Sequence, residues 1–322
     1  TRIAYWLQAE LVAMATDLAE VVGGAIALYL LFDLPLLIGG VITGAVSLAL
    51  LAVQNRSGQR RFERVITGLL LIIAIGFLTS VFVEPPPVAD VVGGLVPMFD
   101  GAGSVLLATA MLGATVMPHA VYLHSGLARD RHGHPEPGPQ RRQLLKVTRI
   151  DVGLAMLIAG AVNMSMLLVA ATNLQGMPDT DTLEGAHAAV QDTLGPAVAL
   201  CFAIGLLASG LASTSVGAYA GAMIMGGLLR RTYPLLVRRL VTLVPALVIL
   251  AIGVDPTRAL VLSQVVLSFG IPFALIPLIR LTSDRAVMGT DVNHRVTTAL
   301  GWSVAGLISL LNVVLIYLTV TG

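Results

Sequence analysis

Over 322 residues the chain is 56% hydrophobic and 11% charged, against about 25% charged residues in ordinary soluble domains. A net charge of +1 gives no reason to expect a nucleic-acid partner, and a single cysteine, Cys201, rules out a disulfide framework within one chain. The apolar segments are long runs rather than short alternating strands, so the expected class is an all-α integral membrane protein.

Hydropathy gives nine candidate spans, at about 4–31, 35–53, 65–83, 103–128, 149–172, 194–228, 235–254, 259–281 and 298–320. The connections are short except 84–102, 129–148 and 173–193, and the stretch Arg131–Pro139 is rich in proline and glycine. Its His132 and His134 read as solvated loop residues. Basic residues separate by side. Arg2, the arginines at 56–64, the cluster at 129–149, those at 230–239, and Arg280, Arg285 and Arg295 all fall on one face of nine alternating spans, and Arg258 alone falls on the other. The positive-inside rule then places the first residue in the cytoplasm and the C-terminus outside, in a multi-pass protein of the cell membrane. The chain opens on Thr1 with no n-region or cleavage site. It therefore reads as a fragment or an incomplete record rather than as a signal peptide.

The first span carries three carboxylates, Glu10, Asp17 and Glu20. At ~100° per residue Asp17 lies about 20° from Glu10 and Glu20 about 60° beyond it, so the three share one face over roughly 15 Å of depth. Buried acids at graded depth suit a proton route.

Span four contains Met117-Pro118-His119. Proline removes a backbone donor and clashes with the preceding turn, so the helix is expected to break here and free carbonyls around Ala114 and Thr115. A broken helix at mid-depth marks either a binding site or a packed kink. His119 follows the break directly and could titrate near neutral pH, whereas His124 points elsewhere and lies nearer the cytoplasm. Beyond it, Asn163 and Asn312 read as helix glue, and Gln264 offers an acceptor oxygen that suits a cation. Arg238 and Arg239 open the seventh span; as neighbours ~100° apart, at most one is expected to face the headgroups while the other turns inward toward the acids. The sulfur of Met117 would favour a first-row transition metal over Ca²⁺ or Mg²⁺.

Met-Pro-His-Ala120 with Tyr122-Leu-His-Ser125, the spacing of Glu10, Asp17 and Glu20, Arg238-Arg239 and Leu262-Ser-Gln264 together resemble the Nramp family of proton-coupled divalent metal transporters, the bacterial manganese-uptake members in particular. The resemblance covers essentially the whole chain as one transmembrane transporter domain, residues 1–322, corresponding to family helices three to eleven. It implies a partial LeuT-type fold of inverted repeats, alternating access, and import of Mn²⁺ or Fe²⁺ with protons by a monomer that has no prosthetic group. It further implies that Met117 supplies a sulfur ligand, Ala114 a carbonyl ligand and Gln264 a third donor in some states. His119, Glu20 and Asp17 would lie on the proton route, continued toward the cytoplasm by Glu10, Arg238, Arg239 and His124.

One departure matters. The family's first helix bears an Asp-Pro-Gly-Asn break with further metal ligands, and nothing here matches it; Val254-Asp-Pro-Thr-Arg258 falls in a short external turn and reads as a decoy. About half of the ligand shell is thus expected to lie outside this sequence. A proton-coupled amino-acid transporter of the same fold and a non-transporting fragment or scaffold are the rival readings. An intramembrane enzyme lacks a recognisable motif in any span.

Overall fold

The computed structural model describes residues 2–54, 87–96, 98–133, 135–229 and 234–321, with residues 68, 71, 74 and 75. The arginines at 56–64, 230 and 231, Glu84, His134 and most of the expected third span lie outside the described residues. Among those described the secondary structure is helical throughout, with no strand. Among the described residues five helical stretches are long and apolar enough to cross a membrane, one of them the Gly101–Gly126 stretch that is broken at Met117.

Helix α1 (Arg2–Phe32) is the centre of the molecule. From Thr16 to Leu28 all of its residues but Ala19 are buried, and Val21, Val22, Ala25 and Ile26 are wholly enclosed. A helix apolar on all sides belongs inside a bundle. Helix α2 (Leu36–Gln54) crosses it closely because Gly39 lies on the backbone of Ala25, where an added methyl would stand 3.0 Å from the carbonyl oxygen. Such small-residue seams replace hydrophobic driving force between helices in lipid.

After a short helix α3 (Val88–Gly93), the fourth predicted span is divided into α4 (Gly101–Thr115) and α5 (Pro118–His132). Helix α6 (Pro139–Val169) continues through a π turn at Ala170–Leu174. It begins ten residues earlier than hydropathy indicates, because Pro139 sets its first turn and the Arg141–Arg149 stretch is helical but too polar to register as a span. The external connection is not bare loop either. It holds α7 (Leu183–Leu194), which Thr182 caps by accepting from the Gly185 N–H at 3.0 Å. Gly195, at φ +90°, turns the chain into α8 (Pro196–Leu229). The bundle closes with α9 (Leu235–Ala251), α10 (Pro256–Ser283), the one-turn α11 (Arg285–Met288) and α12 (Arg295–Thr321).

Contacts between distant connections agree with alternating spans. The N–H of Leu183, at the start of α7, donates to Thr257 at the start of α10 at 3.2 Å. Arg141, at the start of α6, is ion-paired with Asp291 beyond the end of α10. The Asp-Pro at 255–256 serves as a helix cap: Asp255 Oδ1 accepts from the Arg258 N–H at 2.6 Å.

Candidate functional site at the helix break

The break falls at Val116–Met117. Val116 N still donates to the Leu112 carbonyl at 2.9 Å, Met117 is extended (φ −79°, ψ 114°), and helix resumes at Pro118. Pro118 has no N–H to give the Ala114 carbonyl four residues earlier. Ala114 is exposed and Met117 partly so. Alongside runs α10, and the approach is close because Gly113 has no side chain: a Cβ there would overlap the Gln264 carbonyl. The side chain of Gln264 donates to Ser263 Oγ at 3.3 Å, while its Oε1 is buried without a hydrogen-bond partner among the described residues. The Gly113 contact thus sets the Gln264 backbone of α10 against α4 one residue before Ala114 and four before Met117. No cluster of three His, Cys, Asp or Glu side chains that could hold a metal occurs among the described residues.

Below the break, His119 is 2% exposed. Its Nδ1 lies 3.3 Å from Thr16 Oγ1, and Nε2 has no hydrogen-bond partner among the described residues. Thr16 belongs to the acid-bearing helix, so the break is joined to that face through one hydroxyl. Asp17 and Glu20 both turn toward Gly217 of α8, where an added methyl would sit 3.7 Å and 3.8 Å from their carboxylate oxygens. They share a face, as their spacing predicts.

Both arginines turn inward. Neither faces headgroups: Arg238 is 7% exposed and Arg239 fully buried. Arg238 Nη2 pairs with Glu10 Oε2 at 2.7 Å and fits against α8 only because Gly221 is a glycine. Arg239 pairs with Asp17 and also donates from Nε and Nη2 to Ser47 Oγ of α2, at 3.3 and 3.2 Å. Each guanidinium has its own carboxylate, and this pairing is what permits both to be buried.

Not every expected residue joins this network. His124 is exposed on α5, and His132 is exposed at its end. Asn163 is exposed on α6, whereas Asn312 does join two helices, donating from Nδ2 to the Ser268 carbonyl and accepting from Ser268 Oγ, both at 3.1 Å. Thr16, Ser47 and Gly113 were missed in the sequence. The first two were visible as lone hydroxyls in apolar runs, but the third had no local signal.

A discontinuous helix at mid-depth, flanked by a buried ionic network in an all-helical membrane bundle, defines a transporter fold of the LeuT type. A family model described as natural resistance-associated macrophage protein-like matches residues 1–318. The divalent metal cation transporter MntH of Mycobacterium tuberculosis is 71% identical over 321 residues, which cover 100% of this chain and 75% of that protein. The protein of the same name from Bacillus subtilis is 47% identical over 317 residues, covering 98% of this chain and 74% of its own. The crystal structure of the Eremococcus coleocola manganese transporter, in complex with an aromatic bis-isothiourea compound, superimposes with a TM-score of 0.81 at 29% identity, covering 97% of this chain and 70% of that one. The chain belongs to the Nramp family.

Proposed function

We propose that this chain forms the greater part of a secondary transporter that moves Mn²⁺ or Fe²⁺ across the cell membrane together with protons, by alternating access. The observation that carries this reading is Gln264 Oε1, buried without a hydrogen-bond partner among the described residues, on a residue whose backbone packs against Gly113 just before the helix break. An acceptor oxygen enclosed without a donor is costly unless a cation visits it.

In this proposal Ala114 O, Met117 Sδ and Gln264 Oε1 are the metal ligands contributed by residues 1–322, taken as one transmembrane domain corresponding to family helices three to eleven. A thioether beside two neutral oxygens favours a softer transition metal over Ca²⁺. Protons would pass His119, Glu20 and Asp17, then Glu10 with Arg238 and Arg239, and reach the cytoplasm near the exposed His124. The first residue would be cytoplasmic, the C-terminus external and the working unit a monomer, with metal and protons as the only cargo. A carboxylate-bearing substrate fits less well: α5 opens on Pro118, which has no N–H to offer an anion. The test is metal-evoked acidification of proteoliposomes. Mn²⁺ entry with simultaneous proton entry is expected, and Mn²⁺ entry without acidification would remove the coupling.

A further inference from the structure

Helix α10 contains two prolines within its apolar stretch, Pro272 and Pro277. Each lacks the N–H that would bond the carbonyl four residues earlier, so the backbone of α10 should offer free acceptors at Ser268 and Phe273. In a membrane such carbonyls must be satisfied by neighbours. Both are, and by different helices. Asn312 of α12 donates to the Ser268 carbonyl at 3.1 Å from a fully enclosed position, and Tyr122 of α5 donates to the Phe273 carbonyl at 3.4 Å.

The two contacts are unequal. Asn312 also accepts from Ser268 Oγ, which makes a two-point joint, whereas Tyr122 makes a single contact of 3.4 Å, longer than an ordinary O–H···O bond and so the weaker of the two. The second contact sits on the half-helix that follows the break. Along α10 the broken helix is held at three successive levels: Gly113 at Gln264, Pro118 against Gly270, where an added methyl would stand 3.3 Å from the proline ring, and Tyr122 at Phe273. The Phe273 ring in turn meets Tyr5 of α1 edge-on, with centroids 6.0 Å apart. Below the hinge α5 also packs on α8, where an added methyl at Gly126 would overlap the Met223 side chain, so cutting the Tyr122 contact loosens α5 from α10 alone and leaves α4 packed at Gly113.

We propose that Tyr122 is a positioning residue: its hydroxyl latches the inner half of the broken helix to the proline-freed Phe273 carbonyl, and release of this bond lets α5 swing about the Met117 break during transport. The proposal rests on the transporter reading above. In the intact protein with Cys201→Ser, spin labels at Ala128→Cys and Arg280→Cys report the separation of the ends of α5 and α10. Tyr122→Phe keeps the ring and removes the bond, and should move the population of the wider separation about fivefold, the shift that one net hydrogen bond produces in a two-state equilibrium. Pro277→Ala, which returns a backbone donor to Phe273, should reproduce the shift with Tyr122 intact. The maximal rate of Mn²⁺ uptake should change at least threefold while KM stays within about twofold.

A distance distribution unchanged in Tyr122→Phe overturns the latch, even if thermal stability falls. A shifted distribution in a protein that takes up no Mn²⁺ leaves the latch standing and removes the transport reading instead.

Discussion

Arg239, the largest fully buried side chain among the described residues, is ion-paired with Asp17 across the α1–α9 interface. Removing one member of a buried pair leaves an uncompensated buried charge, which typically costs about 3–5 kcal/mol, whereas apolar replacement of the whole pair is often neutral. Arg239→Met alone should therefore destabilise the detergent-solubilised protein by about that amount. Arg239→Met with Asp17→Leu should recover most of it. Thermal unfolding of the two variants measures the difference, and equal losses would show that the pair is not energetically coupled.

On the proposed proton route, Asp17 would separate the two cargoes. With the carboxylate replaced by an amide, Asp17→Asn removes a proton carrier while keeping shape, so metal-evoked proton entry should fall about tenfold and Mn²⁺ entry by much less. Parallel measurement of internal pH and metal in proteoliposomes decides it. Equal loss of both fluxes would give Asp17 a purely structural role.

The Gly113 approach can be tested without touching a ligand side chain. Gly113→Ala places a methyl on the Gln264 carbonyl and forces α4 away from α10, at about 1–3 kcal/mol for overpacking. The matching change at Gly306 on α12 meets nothing within 4 Å and should be neutral or slightly stabilising. Mn²⁺ titration calorimetry should show at least tenfold weaker binding for Gly113→Ala and no change for Gly306→Ala. Unaltered binding in the first would separate the Gly113 contact from the metal site.

Pro272 and Asn312 should be energetically coupled. Asn312→Leu leaves the Ser268 carbonyl buried without a donor and should cost about 1–3 kcal/mol. In a Pro272→Ala background the backbone N–H takes that acceptor over, so the same change should cost roughly half as much or less. A double-mutant cycle on unfolding free energies checks it, and additive losses would mean that Asn312 does not serve the proline gap.

Much of this was legible before any coordinates. The face shared by Asp17 and Glu20 follows from helical spacing, and the break at Met117 follows from a proline in an apolar run. What stayed hidden was nonlocal or amphipathic. The early start of α6 and the whole of α7 are too polar for a hydropathy window, although Thr182 and Pro139 carry ordinary helix-start chemistry. Burial of both arginines could not be read from their adjacency, because it depends on Glu10, Asp17 and the cleft at Gly221 meeting in three dimensions. The Pro272–Ser268–Asn312 relation was half visible: the free carbonyl is implied by the proline, but its partner lies 44 residues from Ser268.

The central claim is that the break at Met117 holds a transition metal in transit. Its most direct test is competitive uptake of Mn²⁺ and Ca²⁺ by proteoliposomes bearing the intact transporter or its Met117→Ala variant. Replacing a thioether ligand by nothing should spare a measurable part of Mn²⁺ uptake while letting Ca²⁺ compete at least tenfold more effectively, because sulfur contributes to the softer ion and little to the harder one. Undiminished exclusion of Ca²⁺ in Met117→Ala would contradict the assignment of this residue, and with it the site.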